Sequence, residues 1–423
     1  MDKDLTGGGW EAKAERRQGA GGRTLEGNRM EGGRRAEGRL FLFMSRLFRI
    51  FARTMDTEVE NYNIGRQDFK QNIAKLMASE SYAQIAPLLF PELSKDELER
   101  LFLGFENVGQ FQSVAMKRAC EYIIQSSTKG FSWSGKENIS DRPTLYISNH
   151  RDIILDSMLL QYILVSEGHE TTNIVIGTNL YEMPMLTILA SLNKMIGIGR
   201  GGNKRQYYDS LMVLSQQLRH IVAERSESVW IAQRNGRTKD GIDRTEPALV
   251  KMISYSGDRK NPVESLAEMN IVPISISYEW EPCAWMKARE MALREQGPYT
   301  KEAGEDTRSI ISGITGQKGR VHLSICKPLG REELEAMNGD FHKVAQLIDQ
   351  RIAEAYRLWP NNLIARHMLD ADCPMAPATN EEQKAFADYV DQGCKEMGMG
   401  GEFRSWLLKI YAGNMGDTTQ QEQ

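Results

Sequence analysis

Leu145-Tyr-Ile-Ser-Asn-His-Arg-Asp-Ile-Ile-Leu-Asp156 changes character halfway along. The segment Thr144–Ser148 is a short run of strand-forming residues, and it stops abruptly at Asn149-His150. From Ile153 to Val165 apolar residues recur at helical spacing. A strand giving way to a helix within a few residues is half of a βα unit. Ligands of such folds bind beyond the carboxyl ends of strands, so His150, Asp152 and Asp156 are candidate reactive groups.

The same texture continues outward. Further candidate strands are Asn173–Gly177, Met195–Ile198, Val229–Ala232, Ile271–Tyr278 and Val321–Cys326. Helical stretches Met185–Leu192, Tyr207–Ala223 and Pro247–Ser254 lie between them. The alternation predicts an α/β fold with a mixed, largely parallel sheet flanked by helices, and helical additions at both ends. Arg200 follows the third strand, and Arg234 to Arg237 follow the fourth. Trp230 and Met195 read as core strand residues, and Tyr278 to Cys283 as a strand end and turn.

Four segments are expected. Residues 1–54 form a disordered, Gly-rich tail ending in an amphipathic stretch, 39–54. Residues 55–140 are a helical lead-in: Phe69 to Met77, Ala83 to Phe90, a capping box at Ser94 and Glu97, and Phe111 to Ile124. The α/β domain spans 141–330. Residues 331–423 are a helical extension, in which Val344–Leu358 is stopped by Pro360 and Glu381–Glu396 and Phe403–Tyr411 follow.

The net charge of -4 over 423 residues gives no reason to expect nucleic acid. Charge is uneven: residues 1–54 hold 12 Lys/Arg against 7 Asp/Glu, so the remainder is acidic. The five cysteines are scattered and form no CxxC pair, which argues against a disulfide framework and a zinc site. No apolar run has the roughly 18–20 residues of a spanning helix. Residues 1–38 also lack the apolar segment of a signal peptide. In Leu40 to Arg53, Phe and Leu alternate with Arg46, Arg49 and Arg53 as in an interfacial membrane helix. Equally, Met55 reads as a true start, with 1–54 as upstream sequence.

Three motifs compete for the chemistry. His150-Arg151-Asp152 spells a kinase catalytic loop, but Ser157 stands where that loop needs Asn, and Asp340-Phe341 is followed by His342 rather than Gly. Gly197-Ile-Gly-Arg-Gly-Gly202 satisfies a dinucleotide fingerprint, with Arg234 as a possible partner for a 2′-phosphate. The third possibility unites all the unusual stretches. Acyl transfer to a hydroxyl needs a base, a carboxylate to orient it, and cations for an anionic acceptor. His150 is the candidate base, Asp156 or Asp152 its carboxylate, and Arg200, Arg234, Arg237 and Lys239 the cations. Gly236 and Gly241 allow backbone N–H groups to approach an anion.

At these residues the chain resembles the glycerophospholipid acyltransferase superfamily, and within it the bacterial 1-acyl-glycerol-3-phosphate acyltransferase branch. Four blocks carry the resemblance in the family's order: Asn149 to Asp156, Lys194 to Arg200, Val229 to Gly241, and Ile271 to Tyr278 with Pro273. The resemblance implies transfer of a fatty acyl group from acyl-CoA or acyl carrier protein to a lysophospholipid hydroxyl, with no metal or bound cofactor. It implies His150 as general base and Asp156 as its preferred partner, because apolar Met158-Leu-Leu160 follows Asp156 as in the family. Asp152 would then cap the helix. It also implies Arg200, Arg234, Asn235, Gly236, Arg237 and Lys239 as the acceptor-binding set.

Three departures stand out. Five residues separate His150 from Asp156 where the family has four. Asn235 replaces a glutamate, and Gly199 precedes Arg200 where lysine is usual. The expectation is an enzyme working on the cytoplasmic face of the cell membrane. A non-catalytic lipid-binding relative and an NADP-dependent oxidoreductase using the Gly197–Gly202 turn are the alternatives.

Overall fold

The computed structural model describes residues 3–4, 68–178, 180, 184–199, 204–302, 304–373 and 378–413. Arg200, the amphipathic stretch 39–54 and, apart from Lys3-Asp4, the tail 1–38 lie outside them. Ahead of the sheet come α1 (Phe69–Met77), α2 (Glu80–Leu89), α3 (Lys95–Gly104) and α4 (Lys117–Ser127). Ser79 and Ser94 start α2 and α3 by accepting from the amides of Tyr82 and Glu97, which satisfies donors that a helix start leaves open. Phe69, Ile73, Phe90, Phe102 and Phe111 turn inward to one aromatic cluster, which also takes up Leu192.

The strands are β1 (Gly130–Ser134), β2 (Leu145–Ser148), β3 (Asn173–Gly177), β4 (Met195–Ile198), β5 (Val229–Ala232), β6 (Ile271–Tyr278) and β7 (Arg320–Ile325). The sheet order is β1-β7-β6-β2-β5-β3-β4, and a two-residue eighth strand, Lys3–Asp4, pairs antiparallel with β1. β2 is central: Leu145 pairs in parallel with Val229 on one side and Ile271 on the other. Only β6 with β7 and the Lys3–Asp4 edge run antiparallel. The fold class is therefore the mixed, mostly parallel α/β sheet that the alternating pattern predicts.

Between and after the strands run α5 (Leu155–Ser166), α6 (Pro184–Leu192), α7 (Lys204–Arg219), α8 (Pro247–Ser254), α9 (Pro262–Ala267), α10 (Ala284–Gln296) and α11 (Glu305–Thr315). Then follow α12 (Arg331–Ala336), α13 (Phe341–Ala355), α14 (Pro360–Leu369), α15 (Asn380–Met397) and α16 (Gly401–Ala412). Strand side chains alternate between faces, so both faces of the sheet are cores. Leu145, Ile147, Val229 and Ile231 pack with Leu218 of α7, Ile253 of α8 and Ile348 of α13. Tyr146, Trp230 and Ile274 pack with Leu159 and Ile163 of α5. Each such buried side chain contributes roughly 1.5–3 kcal/mol. This two-sided burial pins β2, and hence the loop that leaves it.

Two elements differ from expectation. The expected helical lead-in contains a strand, β1, in which Phe131 and Trp133 are buried at period two. Its sequence Gly-Phe-Ser-Trp-Ser has no β-branched residue and follows directly on the helical pattern of α4, so it does not stand out. Pro360 does not merely stop a helix; it opens α14. Proline fits a first helical turn because its missing N–H would be unbonded there anyway. β4, the strand that runs into the Gly197–Gly202 stretch, is an outermost strand, and residues 200–203 lie outside the described residues. A dinucleotide fingerprint is expected after a strand at a topological switch point within the sheet, and an outermost strand is not such a place.

Candidate active site

His150 leaves the end of β2, and its Nδ1 lies 3.0 Å from Asp156 Oδ2. Asp156 occupies the first turn of α5 and is completely buried. Helical side chains tilt toward the N-terminus, which carries this carboxylate back to the loop that precedes the helix. There Oδ2 also accepts from the amides of Arg151 (2.6 Å) and Asp152 (2.9 Å), while Oδ1 accepts from Tyr278 Oη at 2.8 Å. Burial, then the adjacent Asp156 carboxylate, push the Tyr278 phenol well above its usual range, so it stays protonated and donates. The carboxylate thus orients the imidazole with Nδ1–H toward Asp156 and Nε2 turned away. Nε2 bonds to nothing among the described residues. The ring packs edge-on to Trp230, with centroids 6.1 Å apart.

Asp152 has a different part. Its Oδ1 accepts from the amides of Ile154 and Leu155, both at 2.9 Å, turning the chain into α5. The backbone of α11 presses on its other oxygen: a Cβ on Gly313 would fall 2.1 Å from Oδ2. Asp152 does not pair with His150.

The residues beside His150 are anchored by a buried polar network. Asn149 Nδ2 donates to Ile276 O, and Ile276 N donates back to Asn149 Oδ1, stapling the loop to β6. Arg151, only 1% exposed, donates to Asp243 Oδ2 at 2.8 Å and sits 3.5 Å from Glu281 Oε2. Lys287 of α10 donates to Glu281 and to the Arg151 carbonyl. Two cations and two carboxylates balance, as buried charges require. Burial alone would raise the Asp243 carboxyl, but the Arg151 guanidinium and hydrogen bonds from Thr238 and Asn149 hold it below its usual range.

The turn after β5 joins this network. Thr238 N donates to the His150 carbonyl at 2.7 Å, so the two loops are tied together. Gly236 adopts φ +78 with open space around it, and the Asn235 side chain is exposed. Trp230 Nε1, Gln233 Nε2, Arg234 Nε and Arg237 Nη1 are buried donors without a partner among the described residues. Buried donors normally find acceptors, so Arg234 Nε and Arg237 Nη1 in this turn are open to an anionic or carbonyl-bearing ligand, with Arg237 also facing Cys283 and Asp152. Lys239 is placed otherwise: its Nζ contacts both carboxylate oxygens of Glu290, at 2.5 and 2.6 Å. Burial draws the Lys239 amine below its usual range despite that partner.

Beside the loop opens an apolar pocket. Ile153, Ile154, Met158, Tyr162, Ile174 and Met195 line it. One end is polar, where Thr171 donates to Gln112 and Gln112 meets Asn193 at 3.5 Å. Met195 therefore lines a cavity as well as a strand. Among the described residues no group of His, Cys, Asp and Glu could hold a metal ion, and no helix is long and apolar enough to cross a membrane.

Pattern reading missed Tyr278, Asp243, Glu281 and Lys287. Tyr278 to Glu281 read as a strand end, and only the partners brought by the fold reveal more. Asp243 carried a weak local signal, an acid closing the Gly/Arg-rich turn.

Residues 131–277 match the family model described as Acyltransferase. No curated protein matches the chain significantly. Among solved structures, the 1-acyl-sn-glycerophosphate (LPA) acyltransferase PlsC from Thermotoga maritima aligns over 68% of this chain and 95% of its own, at 14% identity and a TM-score of 0.34. A likeness at that score carries no weight for fold or function.

Proposed function

We propose, from the premise that residues 131–277 are an acyltransferase domain, that the protein moves a fatty acyl group from a thioester donor to a hydroxyl of a lysophospholipid such as 1-acyl-glycerol-3-phosphate. The observation that carries this is the His150–Asp156 pair at the end of the central strand, with Nε2 unengaged. Nε2 takes the proton of the acceptor hydroxyl as its oxygen attacks the thioester carbonyl. The C–O bond forms, the C–S bond breaks, and the thiolate departs with the proton from the imidazolium. Asp156 holds the ring and offsets the charge that forms on it, and Tyr278 and two amides hold Asp156.

The apolar pocket suits an acyl chain, since burying each methylene contributes about 0.8 kcal/mol. The donors Arg234 Nε and Arg237 Nη1, in the turn after β5, suit the acceptor's phosphate or the developing oxyanion. Arg200 joins them in this proposal on sequence alone. Acyl-CoA or acyl carrier protein supplies the thioester, and a peripheral position on the cytoplasmic face of the membrane would meet the lipid acceptor.

Purified protein given acyl-CoA or acyl carrier protein with lysophosphatidic acid, beside a His150→Ala control, tests this. Transfer lost in the control by a factor of at least about 10² supports it. Lipid binding without turnover across a panel of acceptors would point to a lipid-binding relative instead.

A further inference from the structure

The family match ends at residue 277, yet the third-block turn is seated by the far end of the chain. Gly241, at φ +80, lies directly against the last turn of α16. A Cβ there would fall 2.4 Å from Lys409 O and 2.8 Å from Ile410 O. The contact is mutual, since a Cβ on Gly413 would fall 2.6 Å from the Gly241 carbonyl carbon. On the other side of the turn, Arg151 Nη2 donates to Gly241 O at 3.4 Å. The turn is therefore held between the catalytic loop and α16, backbone to backbone.

A second link runs through Tyr411 of α16, a fully buried residue. Its Oη accepts from Glu281 N at 3.1 Å, and its carbonyl accepts from Asn362 Nδ2 of α14 at 2.8 Å. Asn361 Nδ2 donates to Glu279 O at 2.6 Å. Glu281 in turn holds Arg151 and Lys287, and Lys287 holds the Arg151 carbonyl, one residue from His150. The anchoring is solid because Leu407 and Leu408 of α16 share a core with Ala284, Ala288 and Ala292 of α10.

We propose that the C-terminal helices are a working part of the site, with Tyr411 and the Gly241 contact as positioning elements. They fix the Gly236–Asp243 turn, and with it Arg237, one of the donors proposed to meet the acceptor's anionic group. This rests on the acyl-transfer reading for its kinetic form, although the mechanical coupling stands without it.

Full-length Tyr411→Phe and Gly241→Ala test it. Tyr411→Phe removes the hydroxyl that accepts from Glu281 N and is hydrogen-bonded to Tyr389, and leaves the ring in place. Its KM for lysophosphatidic acid should rise roughly three- to tenfold, with kcat and the KM for acyl-CoA changed less than about twofold. Gly241→Ala should raise the acceptor KM further, since the backbones must part. Amide exchange over 234–243 should quicken in both variants while that of α1 to α3 is unchanged. A merely structural role would lower the melting temperature and kcat with the acceptor KM unmoved, and that result overturns the proposal. If the wild type transfers no acyl group, the exchange measurement decides alone, and unchanged protection of 234–243 in both variants would refute the coupling.

Discussion

Replacing Asp156 by asparagine separates the charge of this residue from its hydrogen bonds. Its Oδ2 accepts from His150 Nδ1 and from two backbone amides, whereas its Oδ1 accepts from Tyr278 Oη. The asparagine must therefore keep its oxygen at the Oδ2 position, because an NH2 there would face two N–H donors. Its NH2 would then meet Tyr278, whose hydroxyl can turn and accept. The fold survives, and stability should change by only about 1–2 kcal/mol. Catalysis loses the negative charge beside the forming imidazolium. At about 4 Å and an effective dielectric near 20, that charge is worth roughly 4 kcal/mol, or nearly 10³ in rate. The retained hydrogen bond softens the loss, so kcat/KM should fall roughly 10²- to 10³-fold. Asp152→Asn is the matched control. The Asp152 oxygen that accepts from Ile154 and Leu155 has an equivalent in asparagine, so activity should stay within about threefold. The assay is steady-state acyl transfer with melting curves on both variants. A folded Asp156→Asn within threefold of wild type, or an inactive but folded Asp152→Asn, would refute the assignment of Asp156 as the orienting carboxylate.

Arg151→Met should destabilise by about 3–5 kcal/mol in urea titrations, because Asp243 and Glu281 would face each other buried and unbalanced. Lys318, buried near Asp152, has its amine drawn down by desolvation from 10.5 to about 8. The folded state then releases this proton earlier than the unfolded chain. Its contribution to stability is full above the unfolded pKa and is lost as pH falls through about 8. Wild type should therefore gain roughly 3 kcal/mol relative to Lys318→Met between about pH 8 and 10.5, read as the difference of their denaturation free energies. Met158→Trp fills part of the apolar pocket and should shift acyl-donor preference shorter by roughly two methylenes, at about 0.8 kcal/mol each. Competition between acyl-CoA chain lengths measures that shift.

Much of this architecture is local in origin. Short continuous apolar runs such as Val229–Ala232 and period-3.6 runs such as Tyr207 to Ala223 declare their own secondary structure, and their alternation declares an α/β sheet. His150 was legible because it follows a strand, and Arg234 and Arg237 because they do likewise. β1 and α14 were not legible, one lacking β-branched residues and continuing a helical pattern, the other opened by a proline.

The choice between Asp156 and Asp152 lies at the boundary. The sequence by itself placed both acids within six residues of His150. Only the tertiary structure aimed one of them, because Asp156 rides the first turn of α5 and is met there by Tyr278, 122 residues away. The same holds for Arg151, whose partners Asp243 and Glu281 come from other connections of the sheet, and for Gly241, whose neighbours are Lys409 and Ile410. Local periodicity encodes what each segment becomes. Which segments meet depends on strand order and helix docking, and those emerge only when both faces of the sheet are buried at once.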